Sequence, residues 1–205
     1  MKKQQQKQQV QKVVANTLLT PKWKQRTHDT NQKHLEQYSG KSFKVAFLGD
    51  SMMERWLTTG AEFWNKNFSE YANLGVGGDG IEHLLYRIGI LDSIKVDKII
   101  LMIGTNNSEK RSSDHICEGI AKVIDTIFEK AANTELIVYG LTNRTDVTDN
   151  KMKEINDKLE AHIKSRNNQK ITYRLFCAEK TDLVDNVHMN ETGYSKWFDD
   201  MTIIL

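Results

Sequence analysis

The 205-residue sequence is poor in proline and in cysteine: it has one proline, Pro21, and two cysteines. Cys117 and Cys177 stand far apart and show no metal-binding spacing, so we expect no metal site built on cysteine. Cys177, which follows an apolar run, has no evident base, and we expect it to be a buried structural thiol. The low cysteine content favours a reducing, intracellular setting, and we expect a cytoplasmic protein.

Long hydrophobic runs are also missing. No apolar stretch reaches the roughly 18 residues that a membrane-spanning helix needs. The first residues, MKKQQQKQQVQK, are basic but are not followed by an apolar segment, so we expect no secretory signal and no membrane span.

The sequence also lacks an excess of either charge, because its net charge is only +2. The charges are unevenly placed: residues 1–40 contain eight basic and two acidic residues. A basic extension of this kind is usually solvated, so we expect no nucleic-acid partner. We predict a Gln-rich basic extension over 1–40, partly packed or disordered, and one folded domain over 41–205.

From residue 44 onward, short apolar runs alternate with segments of helical periodicity. This alternation is typical of βαβ units with right-handed crossovers and a parallel sheet. The predicted fold is α/β, a flavodoxin-like three-layer α/β/α sandwich with five parallel strands. The predicted strands are 44–49, 71–76, 98–104, 135–141 and 171–176, and the predicted helices are 80–92, 114–132, 148–166 and 191–203.

A serine follows the first predicted strand. The run Val45–Leu48 is apolar on both faces and ends at Gly49, as expected of a buried parallel strand. Ser51 comes two residues later, at the start of a helical segment, where ligands bind in open α/β sheets. We interpret Ser51 as a nucleophile, although a serine that only caps a helix is a common alternative.

An acid and a histidine occupy the last loop before the closing helix. Asp185 precedes His188 by three residues, a spacing that lets the carboxylate turn back onto the imidazole. The acid would fix the tautomer through Nδ1–H and leave Nε2 free to take the proton of a serine hydroxyl. On its own such a pair is more often a loop acid beside a surface histidine.

Acyl transfer also requires hydrogen-bond donors for the developing oxyanion. The backbone N–H groups of Ser51 and Gly78 are candidates, since both follow predicted strands. The side-chain amide of Asn106, after the third strand, is another. Asn106 could instead satisfy its own turn.

Two other functions fit parts of the sequence. The glycines of Gly75–Gly80 satisfy the dinucleotide pattern G-x-G-x-x-G. The acid about 20 residues further on, Asp97, precedes its predicted strand instead of ending it, which disfavours that interpretation. A catalytically silent module that keeps the fold to bind a partner is the other alternative.

Four blocks in order resemble the SGNH (GDSL-type) hydrolases: Gly49-Asp50-Ser51, the glycine block with Gly78, Gly104-Thr105-Asn106, and Asp185-x-x-His188. Over residues 41–205 the chain resembles the branch of this family that contains the catalytic subunits of intracellular platelet-activating-factor acetylhydrolase. It departs from the family pattern at Asn143-Arg144, where relatives often have proline and arginine.

This resemblance implies a serine esterase that acts on small acyl esters, often acetyl, without a cofactor or metal. The implied triad is Ser51, His188 and Asp185, with an oxyanion hole formed by Ser51, Gly78 and Asn106. A small-molecule ester is the implied substrate, and some relatives form dimers, so a homodimer is possible for this chain.

Overall fold

The computed structural model describes residues 15–205, and most of the Gln-rich stretch lies outside that range. Its centre is a parallel five-stranded sheet with the order β2-β1-β3-β4-β5. This confirms the predicted fold class and each predicted strand, with ends shifted by a few residues. The strands are β1 (Ser42–Gly49), β2 (Ala72–Gly75), β3 (Lys95–Met102), β4 (Glu135–Tyr139) and β5 (Ile171–Arg174).

Helices cover both faces of the sheet. From β1 to β2 the chain moves toward one edge of the sheet, and from β2 through β5 it moves toward the other edge. Right-handed crossovers therefore place the helix that follows β1 on one face and the helices that follow β2, β3 and β4 on the opposite face. None of the helices within 15–205 is long and apolar enough to cross a membrane. The helices are α1 (Gln25–Tyr38), α2 (Ser51–Glu54), α3 (Ala61–Phe63), α4 (Ile81–Arg87), α5 (Ser113–Lys130), α6 (Asp149–Ser165) and α7 (Glu191–Thr202).

The core is packed with aliphatic side chains on one face of the sheet and with aromatic rings on the other. On one face, the apolar stripe of α5 is fully buried against its neighbours α4 and α6, as its spacing predicts. On the other face, aromatic rings pack around Trp56, which lies edge to face with Phe47 of β1 and tilted against Trp197 of α7. This aromatic packing fixes α7 next to the helix that begins at Ser51.

The extension before the sheet is folded where the structure describes it. Helix α1 packs against α4, and Thr27, Asn31 and His34 on one of its faces are buried. The sequence pattern did not predict this helix. The division into 1–40 and 41–205 remains a prediction, and residues 1–14 lie outside the described part.

A buried ion pair joins these elements below the carboxyl end of the sheet. The side chains of Arg87 and Asp79 are inaccessible to solvent, and Arg87 Nε lies 2.7 Å from Asp79 Oδ2. Arg87 also donates to the carbonyl oxygens of Leu74 and Gly49 at the ends of β2 and β1, and the hydroxyl of Thr27 donates to the other oxygen of Asp79. Each nitrogen of the Arg87 guanidinium and each oxygen of the Asp79 carboxylate thus has a hydrogen-bond partner, as expected for buried charges.

We expect Arg87→Met to lower the free energy of unfolding by about 3–5 kcal/mol, because the variant leaves the Asp79 carboxylate buried without its cation. Urea denaturation followed by circular dichroism measures the loss. The control is Lys153→Met, which breaks an exposed pair with Asp157 and should cost less than about 1 kcal/mol. A loss for Arg87→Met as small as the control's would contradict the assigned role.

Candidate active site

Ser51 lies at the carboxyl end of β1 as the first residue of α2. The carboxylate of Asp50 caps this helix by accepting a hydrogen bond from the N–H of Met52 at 3.0 Å. A side chain on Gly49 would overlap the carbonyl oxygen of Met102 on β3, so only glycine lets the two strands end side by side here. The serine is therefore held on rigid backbone.

Asp50 is itself fully buried beside Ser51. Burial raises its pKa to about 7, the hydrogen bond from Met52 opposes that rise, and the nearby charge of Asp79 adds to it. No partner within residues 15–205 reaches its Oδ2. The folded chain thus holds a proton here that the unfolded chain releases, and this group's contribution to stability falls as pH rises from about 4 to about 7.

The imidazole of His188 connects the serine to an acid. Ser51 Oγ lies 2.9 Å from His188 Nε2, and His188 Nδ1 lies 2.7 Å from Asp185 Oδ2. The other oxygen of Asp185 accepts hydrogen bonds from the backbone N–H groups of Val187 and His188, both at 2.7 Å. The three side chains form one continuous hydrogen-bonded row, although 137 positions separate Ser51 from His188.

These bonds determine the charge of Asp185. Partial burial alone would raise its pKa, but the hydrogen bonds from the His188 ring and from the two backbone N–H groups outweigh burial and hold the pKa at about 2. The group's stabilising contribution is therefore complete above about pH 4 and is lost as pH falls toward 2. At neutral pH the carboxylate is ionised and selects the tautomer with the proton on Nδ1, so Nε2 accepts from the serine.

The loop that carries the acid and the histidine is anchored at its base. Leu183 and Met189 pair as an isolated antiparallel bridge, and Val184 N–H donates to the His188 carbonyl at 2.9 Å. In helix α7, the hydroxyl of Tyr194 donates to the Met52 carbonyl at 2.8 Å. The closing helix is thus bonded directly to the helix that begins with Ser51.

Gly78 lies in the loop between β2 and α4 with a φ of +76°, a conformation that glycine adopts at little cost. Its carbonyl accepts a hydrogen bond from Lys24 Nζ at 2.8 Å. Asp79, the next residue, is held by Arg87 and Thr27. These contacts hold the loop directly after the peptide that carries the Gly78 N–H.

Asn106 follows β3 in a short 3₁₀ turn. Its Nδ2 donates to the carbonyl of Asp79 at 2.9 Å, which leaves the second amide hydrogen free for another acceptor. The turn is held by Arg144, which is buried, pairs with Asp146 and donates to the Thr105 carbonyl at 2.6 Å. The arginine of the atypical Asn143-Arg144 dipeptide therefore supports the turn that carries Asn106.

Four of the five sequence-predicted site residues line one cavity of about 420 Å³: Ser51, Gly78, Asn106 and His188. The fifth, Asp185, lies behind His188. The cavity thus places a hydroxyl, an imidazole and candidate oxyanion donors together at the carboxyl end of the sheet, as expected for an open α/β fold.

Sequence reasoning missed the basic residues of this cavity, Lys24, Arg26 and Arg55. It also missed the role of Arg87, for which a signal existed: an arginine lies among the apolar positions of α4, eight residues after an acid. The expectation for Cys177 was wrong, because the short irregular segment after β5 leaves this side chain exposed.

The structure also bears on other ligands. Within residues 15–205 no cluster of three or more His, Cys, Asp or Glu side chains could hold a metal ion. Asp97 lies inside β3, near its amino end, and not before the strand as the sequence suggested. This position is remote from the carboxyl ends where a dinucleotide would bind.

Comparisons with known proteins show which family the chain belongs to. A family model, the GDSL-like lipase/acylhydrolase family, matches residues 47–196. The human platelet-activating factor acetylhydrolase IB subunit alpha2 is 29% identical over 167 residues, which cover 74% of this chain and 71% of that one.

Solved structures share the fold at lower identity. A lipolytic G-D-S-L family protein from Veillonella parvula aligns with a TM-score of 0.65 and 19% identity, over 81% of this chain and 98% of that one. The carbohydrate acetylesterase Est24 from Sinorhizobium meliloti aligns with a TM-score of 0.58 and 14% identity, over 80% and 100%. The match to the family model extends over most of the domain and includes the end of β1, Ser51 and the loop that carries His188. The chain therefore belongs to the GDSL-like lipase/acylhydrolase family of carboxylic-ester hydrolases.

Proposed function

We propose that this chain is a serine esterase that hydrolyses small carboxylic esters through an acyl-enzyme intermediate, with Ser51, His188 and Asp185 as its triad. The observation that carries the proposal is the row of hydrogen bonds of 2.9 and 2.7 Å from Ser51 Oγ through the imidazole to Asp185. A serine hydroxyl is inert at neutral pH without an adjacent base, and this arrangement supplies one.

In the first half-reaction, Ser51 Oγ attacks the acyl carbon while its proton moves to His188 Nε2. Asp185 remains ionised and stabilises the imidazolium that forms. The bond from the acyl carbon to the alcohol oxygen then breaks, and His188 gives its proton to the departing alcohol. Water repeats the sequence on the acyl-enzyme, which releases the acid and restores the serine.

The negative charge that develops on the acyl oxygen requires donors already in place. The N–H groups of Ser51 and Gly78 and the free amide hydrogen of Asn106 would supply them. Hydrogen bonds from Lys24 and Arg144 to the neighbouring carbonyls support these donors, so little reorganisation accompanies the reaction.

A short acyl group, acetyl in the first place, is the acyl portion we propose. Two relatives support this choice by name, the human platelet-activating factor acetylhydrolase subunit and the Sinorhizobium meliloti carbohydrate acetylesterase. The cavity volume of about 420 Å³ suits a small ester.

We expect Ser51→Ala to abolish hydrolysis of p-nitrophenyl acetate and covalent labelling by a fluorophosphonate probe, because the variant lacks the nucleophile. Labelling is read by intact-protein mass spectrometry, and the modified residue is located by peptide mapping. The control is Ser165→Ala, which changes an exposed serine at the end of α6 and should leave both hydrolysis and labelling intact. A folded wild-type chain that neither reacts with the probe nor hydrolyses any short ester would refute the proposal.

We expect Asp185→Asn to lower kcat by about 10²–10⁴ with little change in KM, because an amide favours the wrong imidazole tautomer and leaves the imidazolium unpaired. Steady-state kinetics at pH 7.5 measure the effect. The control Asp199→Asn changes an exposed acid of α7 outside the cavity and should have no effect. Equal rates for the two variants would exclude Asp185 from the triad.

We expect Asn106→Ala to lower kcat by about 10²–10³, the usual cost of losing one oxyanion donor. Asn143→Ala is the matched control, because Asn143 is also a loop asparagine that donates to a backbone carbonyl but lies outside the cavity. If thermal unfolding is unchanged in both variants, and both keep wild-type kcat, Asn106 does not stabilise the oxyanion.

A further inference from the structure

The polypeptide before the family-matched segment forms one wall of the active-site cavity. Backbone N–H of Lys22 donates to the Glu82 carbonyl at 2.8 Å, and His28 Nδ1 lies 3.0 Å from the hydroxyl of Tyr86, so both bond to α4. Between them, Thr27 donates to buried Asp79. These contacts fix the start of α1 against the loop that contains Gly78.

The fixed segment brings positive charge to the cavity. Lys24 and Arg26 line it together with Arg55 of the turn after α2. Arg26 pairs with Glu54 at 3.1 Å, and Glu54 is the one carboxylate among the lining residues. Within residues 15–205, Lys24 and Arg55 form no ion pair, and Lys24 donates only to the Gly78 carbonyl. The cavity wall therefore has two cations that no protein carboxylate neutralises.

We propose that this active site selects esters that carry an anionic group, a carboxylate or a phosphate, next to the scissile bond, and that Lys24 and Arg55 bind this group. The inference rests on the proposed esterase function and adds the charge of its substrate. Both side chains are partly shielded from solvent, which strengthens their interaction with an anion relative to fully exposed cations. A neutral ester would leave this charge unmatched.

Lys24 has an alternative role, because its bond to Gly78 could serve only to hold the loop. In that case its loss would slow neutral and anionic esters alike. Arg55 separates the two roles, since its side chain makes no hydrogen bond to any residue of the described range. An effect of substrate charge shared by Lys24 and Arg55 therefore cannot come from the loop contact alone.

The test compares three acetyl esters of similar shape: 4-acetoxybenzoate, 4-acetoxyphenyl phosphate and the neutral 4-acetoxybenzamide. Acetate release gives kcat/KM for each ester, and the ratio of anionic to neutral ester is compared between wild type and variants, so that leaving-group reactivity cancels. Comparison of the carboxylate ester with the phosphate ester shows which anion the site prefers.

We expect Lys24→Gln and Arg55→Gln each to lower this ratio by about threefold to tenfold, and high salt to lower it in the wild type. The control Lys33→Gln removes an exposed charge of α1, outside the cavity, and should leave the ratio unchanged. If the wild type hydrolyses all three esters but neither variant changes the ratio, the anion site is refuted and the esterase function stands. A wild type that releases acetate from none of them overturns both proposals.

Discussion

The ion pair between Arg87 and Asp79 is the interaction on which the rest of the site depends. Arg87 bonds to the ends of β1 and β2, and Asp79 accepts from Thr27 of α1, so one buried pair joins two strands, the glycine loop, α4 and α1. Burial lowers the pKa of Arg87, and the charge of Asp79 opposes that change. Because such charges are costly to bury without complete hydrogen bonding, the elements that supply these bonds have little freedom to move apart.

Around this pair, each functional group is held by a residue that does not take part in the proposed chemistry. Tyr194 bonds to the backbone of the helix that begins with Ser51, and Arg144 bonds to the turn that carries Asn106. Lys24 bonds to Gly78 itself. The supporting residues come from α7, from the loop after β4 and from the segment before α1, so the site is assembled only when distant parts of the chain have folded together.

The sheet and the site could be predicted from the sequence for different reasons. Buried parallel strands appear as apolar runs, and their carboxyl ends meet at one edge, so strand positions placed Ser51 at that edge. That His188 lies beside Ser51 was indicated by the resemblance to the SGNH hydrolases. Helix α1 escaped prediction because its buried face is formed by polar residues, Thr27, Asn31 and His34, which produce no apolar periodicity. Side-chain bonds to distant carbonyls, such as that of Arg144, depend on tertiary contacts that no local pattern encodes.

The contacts of α1 also bear on where the functional unit begins. A truncated protein starting at residue 41 would keep all five strands and the whole row from Ser51 to Asp185. It would nevertheless lose the hydroxyl that satisfies one oxygen of Asp79 and the ammonium that restrains Gly78. The part of the chain that supports the cavity therefore extends upstream of the family-matched residues, at least to Lys22, whose backbone is bonded to α4.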